Sequence, residues 1–311
     1  MNLFVYSGLN ASAQAQLIHQ LPTGCTVAFR SSLLPTEQRA AFLAANVLMG
    51  NLPLSWFAAG LPPKLQLWQI DSAGFERYAG LRLPCPVANV GDFYAWPCAE
   101  TMTAGLLALY RRLPELALLQ AEKQWVGAPI RTRTGLLRHK RVIILGAGAI
   151  GLALRQQLSG FACQVQLLAR ANPIAQLHSQ AELLAALPTT DIVVNCLPGS
   201  AAGFFSAELI QAMPSGSFYA SVGRGNTTDE PALIAALQAG RLGGAVLDVT
   251  AQEPLPPDSP LWTLPNVLLT QHSGGGQPGE EEGKVDILLR NLGHLLRGEP
   301  LENLVDLARG Y

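Results

Sequence analysis

A short apolar segment that runs directly into a glycine-rich turn is the feature that most constrains how this chain folds. Val142–Leu145 contains only valine, isoleucine and leucine, and Gly146–Gly151 follows it with the sequence GAGAIG. Gly146 permits a tight turn, Gly148 permits close approach of the backbone to a pyrophosphate, and Gly151 permits close packing of the next helix. The N-terminus of that helix offers N–H groups and a favourable dipole to phosphate. The pattern therefore predicts a strand–turn–helix unit that binds a dinucleotide.

Strand-length apolar runs alternate with helical patterns on both sides of this motif. Four such runs precede residue 90, the first at Leu3–Tyr6, and six follow Lys140, the last at Val267–Thr270. The alternation predicts parallel sheets covered by helices, and therefore an α/β protein with two Rossmann-like doubly wound domains and a cleft between them. An apolar stripe from Val285 to Leu296 predicts a last helix that packs on a domain already formed. The polar stretch Val126–Leu137 is typical of a linker.

Composition and charge argue against several other classes of protein. Apolar residues make up 49% of the 311 residues and the net charge is −1, which favours a well-buried fold and leaves no basic surplus for nucleic acid. No apolar run approaches the about 18 residues of a membrane span, and the N-terminus lacks the basic region of a signal peptide. The five cysteines form no CxxC pair. We therefore expect a cytoplasmic protein with reduced thiols that binds no nucleic acid, no membrane and no metal.

If the dinucleotide carries a nicotinamide, the end of the second predicted strand distinguishes NAD(H) from NADP(H). A carboxylate at this position would bind the ribose 2′-hydroxyl of NAD(H) and repel the 2′-phosphate of NADP(H). The segment Leu167–Asn172 contains no carboxylate, whereas Arg170 supplies a cation that can pair with a phosphate. We therefore expect NADP(H) to be preferred, with NAD(H) as the second candidate. The alternative is that Arg170 is a solvated surface charge.

Three charged residues follow predicted strand ends in the second half of the chain, where open α/β sheets place their ligands. They are Arg224, Glu253 and His272. Reduction of a 2-keto acid requires a cation for the carboxylate and carbonyl, an acid that protonates the carbonyl oxygen, and a carboxylate that orients this acid. Arginine, histidine and glutamate supply these functions in that order. Each residue alone also fits a structural role, as a turn cap for Arg224, a structural histidine for His272 and a loop residue for Glu253.

At these residues the chain closely resembles the D-isomer-specific 2-hydroxyacid dehydrogenase family. The longest matching stretch runs from Ser221 to Gly275 and contains all three charged residues. The glycine motif Gly146–Gly151, the segments Ser72–Gly74 and Cys98–Glu100, and the closing segment Val305–Tyr311 also look like that family. The resemblance covers nearly the whole chain, and the order and spacing of the motifs make it specific.

The resemblance implies a division into two domains and a reaction. A flavodoxin-like substrate (catalytic) domain would contain residues 1–95 and 278–311, and an NAD(P)-binding Rossmann domain would contain residues 96–277. The active site would lie in the cleft. The implied reaction is hydride transfer between NAD(P)H and a small 2-keto acid, giving a D-2-hydroxy acid. Arg224 would bind the substrate, His272 would act as acid and base, and Glu253 would be the partner of His272.

The resemblance also assigns residues to the two ligands. The expected cofactor contacts are Gly146, Gly148, Ala149, Ile150, Gly151, Ala169, Arg170, Leu197, Pro198, Val222, Gly223, Asp248, His272 and Gly274. The expected substrate contacts are Ser72, Ala73, Gly74, Arg224 and His272. The Ala169–Arg170 pair is similar to the NADP(H)-using glyoxylate/hydroxypyruvate reductase branch of the family. Glyoxylate and hydroxypyruvate are therefore the first substrates expected.

Three positions depart from the family pattern. Gln271 stands where the family commonly has a proline before the catalytic histidine, and Ser221 stands where asparagine is more usual. The loop Pro198–Gly203, expected on the adenosine side of the cofactor, is short. These departures leave the charged residues intact.

Two further implications of the resemblance concern assembly and function. The family usually forms homodimers through the cofactor domain, so the helix after Glu100 is the expected interface; the alternative is that this helix belongs to the core of its own domain. Two other functions fit the same scaffold. One is an NAD(P)(H)-sensing protein that contacts partners, similar to corepressor relatives of the family, and the other is a phosphite-type dehydrogenase.

Overall fold

The computed structural model describes residues 1–308, which form two compact units. The first unit contains Met1–Phe93 together with the chain from Gln277 onward, and the second contains Tyr94–Gly276. The last three residues of the family-like segment Val305–Tyr311, which also end the expected range 278–311, lie outside the described residues.

The first unit is built on a five-stranded sheet in which every neighbouring pair of strands is parallel. Its strands are β1 (Asn2–Val5), β2 (Thr26–Phe29), β3 (Val47–Met49), β4 (Leu67–Gln69) and β5 (Val87–Ala88). The N-terminal helices of this unit are α1 (Ala11–Gln20), α2 (Pro35–Leu43) and α3 (Leu54–Ala58). The spatial order β2-β1-β3-β4-β5 reverses between β1 and β3, which is where doubly wound sheets bind ligands at the carboxyl ends of their strands.

The two faces of this first sheet are covered differently. One face carries an aromatic cluster in which the rings of Phe57 and Trp68 lie 4.7 Å apart and those of Trp68 and Tyr78 lie 4.6 Å apart. Large aromatic side chains bury much apolar area on a short chain segment, which suits strands of only two to four residues. The other face is covered by aliphatic side chains from α1 and from the C-terminal helix.

The second unit is built on a six-stranded sheet that is also parallel throughout. Its strands are β6 (Arg141–Leu145), β7 (Gln164–Leu168), β8 (Ile192–Asn195), β9 (Phe218–Ser221), β10 (Gly244–Leu247) and β11 (Val267–Leu269). Its helices are α4 (Ala95–Tyr110), α5 (Leu113–Ala121), α6 (Ala128–Arg131), α7 (Ala149–Ser159), α8 (Gln180–Ala186), α9 (Ala207–Ala212) and α10 (Glu230–Gln238). The order β7-β6-β8-β9-β10-β11 reverses between β6 and β8. The predicted fold class, α/β with two doubly wound parallel sheets, is confirmed.

Three local features of the second unit are not evident from the sequence. At the edge of the sheet beyond β7, the described residues form no further strand. The chain that follows β7 makes only one isolated parallel bridge to it, between Leu168 and Leu177. The stretch Val126–Leu137 contains the helical turn α6. A proline lies in the first turn of α6, a position that helices favour. Nine of the 16 residues of α4 are buried, and α4 packs on α7 in the core of its own unit.

The last helix, α11 (Glu280–Arg297), returns the chain to the first unit. Its residues Val285, Leu288 and Leu292 are fully buried in one aliphatic cluster with residues of β1 and β3. Their spacing of three and four residues places them on one face of the helix. The apolar stripe in the sequence therefore corresponds to the face of α11 that covers the first sheet.

The described residues offer neither a membrane-spanning helix nor a metal-binding cluster. Within residues 1–308, no helix is both long enough and apolar enough to cross a membrane. In the same part of the chain, no group of three or more His, Cys, Asp and Glu side chains is arranged to hold a metal ion.

Candidate active site

The glycine motif forms the turn between β6 and α7. Gly146 has φ +105°, which favours glycine, and a Cβ on Gly151 would lie 2.3 Å from the carbonyl oxygen of Gly146. The helix can therefore pack directly on the turn only because residue 151 has no side chain. At Gly148, which caps α7, a Cβ would meet no atom within 4 Å. The helix N-terminus, with Ala149 and Ile150, thus faces open space that fits a pyrophosphate.

The loops after β8 and β9 lie against this turn. A Cβ on Gly223 would lie 2.3 Å from the carbonyl oxygen of Leu197, and a Cβ on Gly146 would lie 3.2 Å from that of Cys196. The expected cofactor residues Pro198 and Val222 adjoin these contacts in the chain. Close backbone approach at the point where the strand order reverses creates a crevice of the kind in which open α/β sheets bind ligands.

The end of β7 brings Arg170 to the same edge of the sheet. Arg170 is exposed, and its neighbour Ala169 accepts a hydrogen bond from the ring of His178 when Nδ1 is protonated, at 2.9 Å. The side-chain amide of Asn172 donates to the carbonyl oxygen of Ala147 in the glycine turn, at 3.3 Å. Asn172 and His178 were not singled out from the sequence as ligand residues. Their placement depends on the path of the chain after β7, which leaves no local sequence signal.

His272 and Glu253 form the central pair of the site. His272 Nδ1 lies 2.6 Å from Glu253 Oε2, although the two residues are 19 positions apart. The second carboxylate oxygen, Oε1, accepts a hydrogen bond from the backbone N–H of Thr250 at 3.0 Å. The carboxylate is therefore held from two sides, and it fixes the orientation of the imidazole. Nε2, on the opposite side of the ring from Nδ1, points away from the glutamate.

The loop that carries Arg224 lies in close contact with the loop of Thr250. A Cβ on Gly225 would lie 1.8 Å from the carbonyl oxygen of Thr250, the residue that binds Glu253. Only glycine allows the loop after β9 to lie this close to the loop after β10. Arg224 Nη1 donates to the carbonyl oxygen of Gly223 at 2.9 Å.

The pKa of Cys98 reports on the charges nearby. The pKa of this thiol is raised to about 12, mainly by burial; the charge of Asp248 contributes to the rise, and the charge of Arg224 opposes it. Both charged groups therefore act on one buried thiol of α4. Since the thiol stays protonated at neutral pH, it is a core group and not a nucleophile.

Asp248 organises the turn that carries the histidine. Its Oδ1 accepts hydrogen bonds from the hydroxyl of Thr270 at 2.6 Å and from the backbone N–H of Gly274 at 2.9 Å. Its backbone carbonyl accepts from the N–H of His272 at 2.6 Å. Asp248 is itself buried. One residue thus holds the turn before, at and after the histidine.

This turn has an unusual backbone conformation. Gln271 and His272 both have φ +54°, in the left-handed region that costs most residues other than glycine about 1–3 kcal/mol. Proline, whose φ is fixed near −65°, cannot occupy position 271 in this conformation. The departure from the family pattern at Gln271 is therefore part of the local geometry, and the bonds to Asp248 offset its cost.

A cavity of about 410 Å³ lies beside the histidine and glutamate. Its walls combine apolar side chains with the polar groups of the pair and of Gln271. The lining residues are Leu247, Asp248, Thr250, Glu253, Pro254, Leu255, Trp262, Leu269, Gln271 and His272. The pair is thus bordered by a largely apolar space within its own unit.

The expected substrate segment Ser72–Gly74 follows β4 in the first unit. The hydroxyl of Ser72 donates to the carbonyl oxygen of Gly74 at 2.7 Å, and its oxygen lies 3.1 Å from Oδ1 of Asn51. The loop is therefore closed on itself and tied to the end of β3. The second unit brings together the expected cofactor residues with Arg224, Glu253 and His272, whereas Ser72–Gly74 belongs to the first unit.

Comparison with known proteins identifies related sequences. Residues 103–274 match the family model described as D-isomer specific 2-hydroxyacid dehydrogenase, NAD binding domain. Among curated proteins, the chain is 33% identical over 219 residues to glyoxylate/hydroxypyruvate reductase A of Salmonella typhimurium strain LT2, an alignment that covers 68% of each chain. The corresponding protein of Salmonella typhi matches with the same identity and coverage.

Comparison with solved structures gives matches over the full chain. A D-isomer specific 2-hydroxyacid dehydrogenase family protein from Aeromonas salmonicida superposes with a TM-score of 0.85 at 27% identity, covering 98% of this chain and 99% of that one. A D-isomer specific 2-hydroxyacid dehydrogenase from Xanthobacter autotrophicus Py2, in complex with NADPH and MES, gives 0.81 at 27% identity, covering 100% and 99%. An NADPH-dependent glyoxylate/hydroxypyruvate reductase from Sinorhizobium meliloti gives 0.84 at 23% identity, covering 100% and 99%, which is a likeness of fold.

The contact between Gly225 and Thr250 predicts an effect of one methyl group. Gly225→Ala should lower the free energy of unfolding by about 1–3 kcal/mol, because a Cβ cannot be accommodated against a backbone carbonyl. Gly160→Ala is the matched control, since its Cβ would have an ordinary contact of 3.4 Å with Gln157 in the same unit. Urea unfolding of both variants measures the difference. Equal stability of the two variants would contradict the close approach of the two loops.

Proposed function

The chain belongs to the D-isomer-specific 2-hydroxyacid dehydrogenase family and is an NAD(P)-dependent oxidoreductase, and we propose that it transfers hydride from NADPH to a small 2-keto acid. The product is a D-2-hydroxy acid. Glyoxylate and hydroxypyruvate are the first substrates proposed, because curated relatives that are 33% identical carry the name glyoxylate/hydroxypyruvate reductase A.

The single observation that carries this proposal is the 2.6 Å contact between His272 Nδ1 and Glu253 Oε2. Glu253 binds Nδ1 of His272, so Nε2 remains directed away from the glutamate. A protonated His272 donates the proton on Nε2 to the carbonyl oxygen of the substrate. The carboxylate stabilises the positive charge of the ring before the transfer. Arg224 holds the substrate carboxylate and polarises the carbonyl through its planar guanidinium group.

The residues around the glycine turn fit a nicotinamide dinucleotide. The N–H groups at the start of α7 hold the pyrophosphate, and the loops that begin at Leu197 and Val222 flank it. When bound, NADPH supplies the hydride that adds to the carbonyl carbon. Asp248 and Gly274 line the nicotinamide side while they hold the turn of His272.

We assign cofactor binding and substrate binding to different parts of the chain. Residues 96–277 form the cofactor domain, and residues 1–95 with 278–311 form the substrate domain. Strand-end residues of the second unit support the first assignment, because they include the dinucleotide motif. The loop Ser72–Gly74 supports the second, because consecutive backbone N–H groups of a closed loop bind carboxylates.

Activity assays test the proposed reaction. We expect the protein to consume NADPH with glyoxylate or hydroxypyruvate, and His272→Ala to lower kcat/KM by about 10²- to 10⁴-fold, the usual contribution of a general acid. Glu253→Gln should retain part of the activity, because the amide keeps a hydrogen bond to the ring without the charge. Loss of absorbance at the NADPH band follows the reaction directly.

A matched histidine variant controls for nonspecific effects. His19 is exposed at the end of α1, so His19→Ala should keep the activity of the unchanged protein. The proposal fails if neither NADPH nor NADH is consumed with any 2-keto acid. Binding of NADPH without turnover would then favour a sensing protein, and oxidation of phosphite would favour a phosphite-type dehydrogenase.

We further propose that NADP(H) is the preferred cofactor and that Arg170 pairs with its 2′-phosphate. Arg170 is exposed at the end of β7, next to a glycine turn that Asn172 ties to the same region. His178 adds a second group that can carry a positive charge beside Ala169. Two structural relatives are described with NADPH or NADP, which agrees with this choice.

Cofactor competition tests the role of Arg170. Arg170→Ala should raise the KM for NADPH about 10- to 100-fold, the cost of one charge-assisted hydrogen bond, and leave the KM for NADH nearly unchanged. Arg155 is exposed on α7 in the same unit, so Arg155→Ala is the matched control. Steady-state kinetics with each cofactor provide the comparison. An equal change in the two KM values would show that Arg170 does not contact the 2′-phosphate.

We also propose that the protein is a homodimer, with α5 and the loop after it at the interface. The helix α5 contains four leucines, Leu113, Leu116, Leu118 and Leu119, yet none of its residues is buried. Leu118 is 67% exposed and Trp125 in the following loop is 98% exposed. Nine of the 16 residues of α4, the helix expected at the interface, are buried within its own unit. Exposed leucine and tryptophan side chains so close together are typical of a protein interface.

Sedimentation velocity tests the assembly. The double variant Leu118→Glu, Trp125→Glu should sediment as a monomer where the unchanged protein sediments as a dimer, because two charges would be buried without partners. Leu34→Glu, at a leucine that is 65% exposed in the first unit, is the control and should leave the dimer intact. A monomeric unchanged protein would rule out this proposal.

A further inference from the structure

Three buried amide side chains form a connected chain inside the first unit. Gln69 ends β4, Asn89 follows β5, and Asn291 lies in the middle of α11. They are 1%, 9% and 0% exposed, among mostly apolar neighbours. A buried amide that lacks a hydrogen-bond partner costs about 1–3 kcal/mol, so such side chains persist where other side chains or backbone groups pair with them. We call these three residues the amide chain.

The bonds of the amide chain run in one direction, from α11 to the loop Ser72–Gly74. Asn291 Nδ2 donates to Gln69 Oε1 at 2.8 Å, and Gln69 Nε2 donates to the backbone oxygen of Asn89 at 2.7 Å. Asn89 Nδ2 then donates to the carbonyl oxygen of Ala73 at 2.7 Å. The chain therefore ends on the central residue of the loop to which we assign substrate binding.

Further bonds fix the orientation of the two end amides. Asn89 Oδ1 accepts from the backbone N–H of Gly91 at 2.9 Å, so exchanging its oxygen and nitrogen would break both of its side-chain bonds. Asn291 Oδ1 accepts from the N–H of Glu302 at 2.7 Å, and Nδ2 also donates to the carbonyl oxygen of Glu302 at 3.1 Å. Each end amide therefore presents its N–H groups in one direction only.

Because the peptide bond is planar, the hydrogen bond from Asn89 to the Ala73 oxygen also sets the orientation of the next N–H group in the loop. The carbonyl of Ala73 and the N–H of Gly74 belong to one planar peptide unit, in which the two groups point in opposite directions. Because the Ala73 oxygen is turned towards Asn89, the N–H of Gly74 is turned away from the amide chain. A donor held in this way is available to a carboxylate without reorganisation.

We propose that Asn89, supported by Gln69 and Asn291, is a positioning residue that sets the carboxylate-binding direction of the peptide between Ala73 and Gly74. This inference rests on the proposed function, in which the backbone of Ser72–Gly74 binds the substrate carboxylate. Asn89 itself does not touch the substrate; it acts through the loop. The amide chain thereby links substrate affinity to the C-terminal helix.

The decisive variant is Asn89→Asp. Aspartate keeps the acceptor for the N–H of Gly91 but replaces the donor with an oxygen that repels the carbonyl of Ala73, so the peptide turns. We expect the KM for glyoxylate to rise about tenfold or more, with kcat within about threefold and the KM for NADPH unchanged, as for loss of a ground-state contact. A calorimetric titration with oxalate, a non-reacting carboxylate, should show a matching loss of affinity in the NADPH complex.

Asn46→Asp is the matched control in the same unit. Asn46 also accepts from one backbone N–H, that of Asn2 at 2.8 Å, and donates to one carbonyl oxygen, that of Lys64 at 3.0 Å. It precedes β3, at the amino ends of the strands, whereas the loop Ser72–Gly74 lies at their carboxyl ends. The control should lower the melting temperature without changing the KM for glyoxylate or the affinity for oxalate.

The possible outcomes separate this inference from the proposed function. If Asn89→Asp changes stability but neither the KM for glyoxylate nor the oxalate affinity, the amide chain is structural and the inference is wrong. If the unchanged protein reduces no 2-keto acid, the proposed function fails, and the oxalate titration of the two proteins still decides the inference. If Asn89→Asp does not fold, Asn89→Ser, whose side chain is too short to reach the Ala73 oxygen, takes its place with the same expected result.

Discussion

The parallel direction of all neighbouring strands is the constraint on which the rest of this structure depends. In a parallel sheet every carboxyl end lies on one edge, so each connection must cross back over a face before the next strand begins. In the second unit, residues that follow each strand therefore meet at a single edge. This is how the glycine turn, Arg170, Arg224, Asp248 and His272, separated by up to 126 positions, belong to one region.

Within that edge, short polar contacts and missing side chains set the positions more finely. Glycine at 225 lets two loops approach until one backbone carbonyl fills the space of a Cβ. Asp248 then holds the turn of the histidine by three hydrogen bonds, in a conformation that Gln271 tolerates and proline does not. The family pattern and this chain thus differ at position 271 in a way that the backbone explains.

The sequence predicted the features that depend on neighbouring residues. Strand-length apolar runs and the GAGAIG turn located β6 and α7, because burial and glycine geometry act over a few positions. Contacts between distant segments left no such signal. The amides of Asn172 and Asn89 and the ring of His178 look like ordinary polar residues until the fold brings them to their partners. The two-residue strand β5 was also missed, because so short a run has no period to recognise.

The return of α11 to the first unit has a consequence for how the chain matures on the ribosome. The second unit is continuous from Tyr94 to Gly276 and can complete its core during synthesis. The first unit begins earlier but lacks Val285, Leu288 and Leu292 until α11 has been synthesised. At about 5–20 residues per second, the 243 positions from Met49 to Leu292 take roughly 12–50 s to synthesise, and one aliphatic face of β1 and β3 stays uncovered for that time. The nascent protein therefore exposes the aliphatic face of β1 and β3 for a long time. Exposed apolar surface of this kind is what chaperones bind.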